Sequence, residues 1–154
     1  MKINLWVENT GWELFASADK NFKKELEVRK ITISDSASIG NNVNIGDGAS
    51  IGDGASIGYG AYIGYGASIG YGASIGYGAS IRNRASIGNR ASIGYGASIG
   101  YRASIGDGAS IGNRASIGNR ASIGDETHIG NGASVTKDQV NPITKGVADE
   151  KQST

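Results

Sequence analysis

The chain has 154 residues, a formal net charge of +1, 26 glycines, one proline, one histidine and no cysteine. Such a length suits one domain with a small terminal addition, and the balanced charge speaks against a nucleic-acid partner. Without cysteine there is no disulfide framework, thiolate metal site or cysteine nucleophile, and no run of about 18 apolar residues offers a membrane span.

Residues 1–30 hold both tryptophans, Trp6 and Trp12, and both phenylalanines, Phe15 and Phe22. The apolar alternation of Ile3, Leu5 and Val7, the turn at Asn9-Thr10-Gly11 and the return from Trp12 to Ala16 predict a β-hairpin. Asp19 is placed to cap a short helix over 20–27, with Phe22 and Leu26 on one face. The segment reads as a plug over the open end of the repeats that begin near Ile33, with partner docking through the tryptophans as the other role. No long apolar leader precedes it, so a cytoplasmic protein is expected.

From Ile33 to Val135 an apolar residue falls at every sixth position, eighteen times, in a frame that mostly reads Ala-Ser-Ile-Gly-x-Gly or Ala-Ser-Ile-Gly-x-Arg. Ile and the Ala two before it share parity, so both face inward from a short strand. The last two positions, such as Asp-Gly, Tyr-Gly or Asn-Arg, make a corner. Each hexapeptide is therefore one strand and one corner, and three of them close an 18-residue triangular coil. Six such coils stack at about 4.8 Å into a prism roughly 29 Å long. Silk-like low complexity is the competing reading, but flat sheets do not call for an inward column of Ile held in strict phase.

This frame resembles that of the hexapeptide-repeat family. The resemblance implies an all-β, left-handed parallel β-helix with a small N-terminal cap, and is closest to bacterial hexapeptide acyltransferases. The domain expectation is a cap over 1–30, a β-helix over 31–140 and a tail over 141–154. Val135-Thr136-Lys137-Asp138-Gln139-Val140-Asn141-Pro142 is similar to the closing coil of those acyltransferases, with Gln139 interrupting the stretch and Ile143 standing where their Asn-Pro-Ala would have Ala.

Family acyltransferases use a histidine as general base and hold coenzyme A between subunits. His128 is the only histidine here and stands in the outward Ser position before Ile129. It is the catalytic candidate under that reading, although a surface histidine in a row of serines is the simpler role. Three histidines for a zinc site are lacking, so no metal is expected.

Residues 18 apart share a column. One corner column is acidic, with Asp53, Asp107 and Asp125; the next is aromatic, with Tyr59, Tyr77 and Tyr95; the third carries Arg84, Arg102 and Arg120. A head-to-tail contact of the arginine edge with the acidic edge of another copy would close a ring of three, and a homotrimer matches the family's habit. The aromatic column could also stack on sugars. Because no loop interrupts the repeats to build a pocket, the leading functional expectation is a non-enzymatic, self-associating scaffold or binding module with no cofactor. A coenzyme A-dependent acyltransferase, taking acetyl-CoA or another acyl-CoA, is the alternative.

Overall fold

The computed structural model describes residues 1–8 and 10–137. Strands β1 (Lys2–Val7) and β2 (Gly11–Ala16) form the antiparallel hairpin, and helix α1 (Phe22–Val28) comes next. Then come eighteen short strands, β3 (Thr32–Ile33) to β20 (Ser134–Val135), one to each hexapeptide. Every strand pairs in parallel with the one three hexapeptides away, as in Ser50↔Ser68 and Ile51↔Ile69. Three parallel sheets result, so one coil is 18 residues and the chain is a β-solenoid of about six turns.

Parity determines what lies inside. From Ala49 to Ile117 the inward Ala and Ile residues are at most 2% exposed, and no polar or charged residue is buried among the described residues. The serines between them point out, and their N–H groups continue the ladders, for example Ser74 to the Ala91 carbonyl at 2.8 Å. A stack of identical layers thus satisfies its backbone only through neighbouring layers, which makes it cooperative.

The corners explain the glycines. The Ala55 N–H reaches back to the Gly52 carbonyl at 3.3 Å, closing a four-residue turn whose third residue, Gly54, has φ +65°. That is the pattern of a type II turn, which favours glycine at its third place. The glycine after each Ile is required for a different reason. A Cβ on Gly64 would lie 2.5 Å from the Asn83 nitrogen and on Gly100 2.5 Å from the Gly118 carbonyl carbon, because the next coil passes directly over them.

The hairpin does more than cover an opening. β1 pairs in parallel with β5 (Val43–Ile45), Ile3 opposite Val43 and Leu5 opposite Ile45, and so supplies the strand that α1 removes from the coil before. This buries Ile3, Leu5, Val43 and Ile45 completely. Phe22 and Ile31 seal the neighbouring part of the end, with Leu26 packed against them, while Ile33 and Ile39 stay partly covered. The helix begins two residues later than the sequence suggests. The Asp19 carboxylate accepts the Ala16 N–H at 2.8 Å and makes no side-chain cap on α1. Residues 138–142 of the closing stretch and the tail beyond lie outside the described residues. No helix among the described residues is long and apolar enough to cross a membrane.

Candidate functional site

The solenoid places the predicted site residues on different edges and faces. Arg84, Arg102 and Arg120 stand one above another at the third place of their turns, with φ of 59°, 56° and 59°. These are left-handed conformations, which cost a side-chain-bearing residue about 1–2 kcal/mol relative to the right-handed region. Part of that cost is offset by ring contacts. The Arg84 guanidinium lies 5.8 Å from the Tyr65 ring and donates to the Tyr101 hydroxyl at 3.5 Å, and Arg102 lies 5.2 Å from the Tyr101 ring. No carboxylate pairs with these three arginines among the described residues; the ion pair there is Arg29 with Glu25 at the cap.

Tyr59, Tyr77 and Tyr95 form a column of near-parallel rings, 5.4 Å apart at both steps and tilted by 13° and 11°. Asn42 donates to the Tyr59 hydroxyl at 2.7 Å, and the Arg114 guanidinium lies 5.7 Å from the Tyr95 ring. Both faces of Tyr77 are therefore taken by its neighbours, and a sugar could not lie flat on it.

The acidic edge is wired into the backbone. Asp107 Oδ1 accepts the Asn89 N–H at 2.7 Å and Asp125 Oδ1 accepts the Asp107 N–H at 2.9 Å, each one coil below. Asp53 accepts from the Ser34 hydroxyl. The same device recurs on the other edges, where Asn83, Asn113, Asn119 and Asn131 accept corner N–H groups of the coil below. Sequence reasoning read Asp53, Asp107 and Asp125 for their charge, did not single out the asparagines, and overlooked this role. The signal was available, since Asn or Asp stands at the second place of so many turns. Asp47 shows the rule by breaking it. Arg29 holds the place one coil below but gives its N–H to the Glu25 carbonyl of the helix, and Asp47 Oδ1 is left buried without a partner.

His128 opens β19 (His128–Ile129), opposite Ser110, and points out from the sheet that precedes the tyrosine edge. It is exposed and makes no hydrogen bond to another described residue. The arginine edge adjoins a different sheet, so within one chain His128 and Arg84, Arg102 and Arg120 are not brought into one cleft. Among the described residues no three His, Cys, Asp or Glu side chains cluster to hold a metal.

The family described as bacterial transferase hexapeptide (six repeats) matches residues 30–65 and 102–137. No curated protein matches the chain in sequence. The solenoid is similar to the acetyltransferase domain of PglB from Neisseria gonorrhoeae FA1090, with TM-score 0.69 and 22% identity, over 74% of this chain and 55% of that one. It is also similar to a variant of perosamine N-acetyltransferase from Caulobacter crescentus in complex with CoA and GDP-perosamine, with TM-score 0.65 and 22% identity, over 75% of this chain and 57% of that one. The match thus spans little more than half the length of either neighbour. At such identity the likeness establishes the fold.

These neighbours correct two expectations, the non-enzymatic scaffold and the absence of a cofactor. Both rested on the lack of a loop interrupting the coils, but solenoids of this shape include named acetyltransferases, one of them with CoA bound. The solenoid fold is therefore compatible with transfer chemistry.

Proposed function

We propose that this chain, whose residues 30–65 and 102–137 match the bacterial transferase hexapeptide family, is a coenzyme A-dependent acyltransferase acting on the hydroxyl or amine of a small acceptor. The observation that carries the reading is the shared solenoid of the two acetyltransferases, across about three quarters of the chain. Fold alone does not fix chemistry, so the residues must supply it.

Acyl-coenzyme A, when bound, would supply the acyl group as a thioester. Its phosphates need cations, and Arg84, Arg102 and Arg120 provide three of them at one-coil spacing, with no carboxylate paired to any among the described residues. His128 is the candidate general base. Its imidazole is exposed and has no partner among the described residues; it would take the acceptor's proton as the acceptor attacks the thioester carbonyl, and return it to the coenzyme A sulfur as the carbon–sulfur bond breaks and the thiol leaves. Because His128 and the arginine edge lie apart within one chain, the reading calls for a second copy to complete the site. A homotrimer that sets a neighbouring copy beside the arginine edge, while leaving its guanidinium groups to the phosphates, meets this requirement. The chain is taken to work in the cytoplasm, where acyl-CoA donors are made. Tyr59, Tyr77 and Tyr95 are assigned to the rigidity of their edge.

Calorimetric titration of the purified protein with coenzyme A tests the reading first. Saturable binding in the micromolar to low millimolar range, about −8 to −4 kcal/mol, supports it. Absence of heat to several millimolar, together with no thiol release from acetyl-CoA in an acceptor screen, overturns it.

A further inference from the structure

Two residues break the repeat at one place. Tyr62 stands where fourteen of the eighteen hexapeptides have Ser, and Arg82 stands where all but the first and last of the others have Gly. They line one depression on the outer face of the sheet that carries the hairpin, together with Ser80, Asn83 and Tyr101. Tyr62 forms a wall one coil before Ser80, whose small side chain leaves the floor low. Trp12 backs that wall, meeting the Tyr62 ring edge-on at 5.8 Å.

Arg82 is costly to the fold. At every comparable glycine from Gly40 to Gly112 an added Cβ would come within 3.1 Å of the backbone of the next coil, so the Arg82 Cβ requires its coil to give way. The ladder nevertheless stays closed around it, the Arg82 N–H reaching the Ile99 carbonyl at 2.9 Å. The Arg82 guanidinium makes no hydrogen bond, ion pair or ring contact with another described residue. By contrast the Tyr101 ring is fixed by Arg84 at its hydroxyl and by Arg102. An arginine that replaces glycine where the next coil passes close, with no partner among the described residues and beside two positioned phenol rings, is where a local rule gives way to function.

We propose that this depression is a ligand site distinct from the region of His128, and that it takes a phosphate ester carried on a planar ring. Arg82 receives the phosphate by charge-assisted hydrogen bonds, Tyr62 and Tyr101 flank the ring, and Ser80 and Asn83 offer hydrogen bonds to the linking hydroxyls. The site does not depend on the acyltransferase reading, since His128 lies on another sheet. The chemistry could belong to a free nucleotide or to the nucleotide end of coenzyme A.

Trp6 and Trp12 are the only tryptophans, Trp12 meeting Tyr62 at the site and Trp6 meeting Trp12, so intrinsic fluorescence reports on it. Adenosine monophosphate, adenosine, inorganic phosphate and coenzyme A are each titrated into the wild type, Arg82→Gly and His128→Ala. Arg82→Gly restores the repeat residue, so its thermal midpoint is expected to be no lower than the wild type's, and lost binding cannot then be lost folding. The expected result is a saturable signal with adenosine monophosphate at concentrations about tenfold or more below those needed for adenosine or phosphate. Arg82→Gly weakens it by at least about tenfold and His128→Ala leaves it unchanged. Tighter binding of coenzyme A than of the monophosphate identifies the acyl donor as the source, and the reverse a free nucleotide. No signal to about 10 mM, or equal binding by Arg82→Gly, overturns the proposal.

Discussion

Trp12 meets Tyr62 edge-on, ring centroids 5.8 Å apart, and so joins the hairpin to a coil with which β2 shares no backbone hydrogen bond. Trp6 meets Trp12 in the same way at 5.6 Å. The cap is therefore held by β1 along one sheet edge and by this aromatic chain across the face. Tyr62→Ser restores the repeat residue yet should lower stability by about 0.5–1.5 kcal/mol, the worth of an aromatic pair beyond its buried area. Urea unfolding followed by tryptophan fluorescence measures it; an unchanged midpoint means the cap is secured by β1 alone.

Glycines after Ile should divide by what passes over them. Gly100→Ala places a Cβ 2.5 Å from the Gly118 carbonyl carbon and should cost about 1–3 kcal/mol. Gly130→Ala meets no described residue within 4 Å and has an ordinary φ, so it should be neutral or stabilise by up to about 1 kcal/mol through the unfolded chain. Equal losses at both sites would show that close approach of the coils is not what selects glycine.

The left-handed arginines permit a matched comparison. Arg120→Gly relieves a φ of 59° and should stabilise by about 1 kcal/mol. Arg102→Gly relieves a similar φ but gives up the guanidinium lying 5.2 Å from the Tyr101 ring, worth about 0.5–1 kcal/mol at an exposed site. Thermal unfolding should rank Arg120→Gly above Arg102→Gly above the wild type. The reverse order would assign the arginines a stabilising part larger than their backbone cost.

If the arginine edge meets the acidic edge of another copy, Arg102→Glu should turn attraction into repulsion. Sedimentation equilibrium is expected to give three times the chain mass for the wild type and a smaller species for the variant. A variant that keeps the wild-type mass rules out that contact.

Under the acyltransferase reading, His128→Ala should lower the rate of acyl transfer by about 100-fold or more while changing coenzyme A affinity little. Thiol release and calorimetry measured side by side separate the two effects. A variant with full activity would remove His128 from the chemistry while leaving the acyltransferase reading open.

Most of the fold could be read from one observation, the unbroken spacing from Ile33 to Val135. A residue buried once per hexapeptide leaves no freedom in which side points inward, and the stacking of residues 18 apart is its consequence. The hairpin was legible from Ile3, Leu5 and Val7, but its place was not. The pairing of Ile3 with Val43 joins segments with no shared pattern, and that choice depends on α1 displacing a strand. Positive φ at Arg84 and Arg102 was uncertain for a similar reason, because arginine has no preference for that region and tolerates it only where the coils above and below impose it. Function was the least legible, since the absence of an interrupting loop suggested a passive scaffold.

The interior from Ala49 to Ile123, made of Ile and Ala alone, has a further consequence. Hydrogen bonds, turns and packing all repeat at 18 residues, so the molecule is graduated like a ruler. Deleting residues 65–82, one graduation, would shorten it while leaving every remaining column aligned. Unequal recombination between such near-identical segments can lengthen or shorten the chain at little risk to folding, and the reach between the Trp-bearing cap and the His128 end is then an inherited variable of its own.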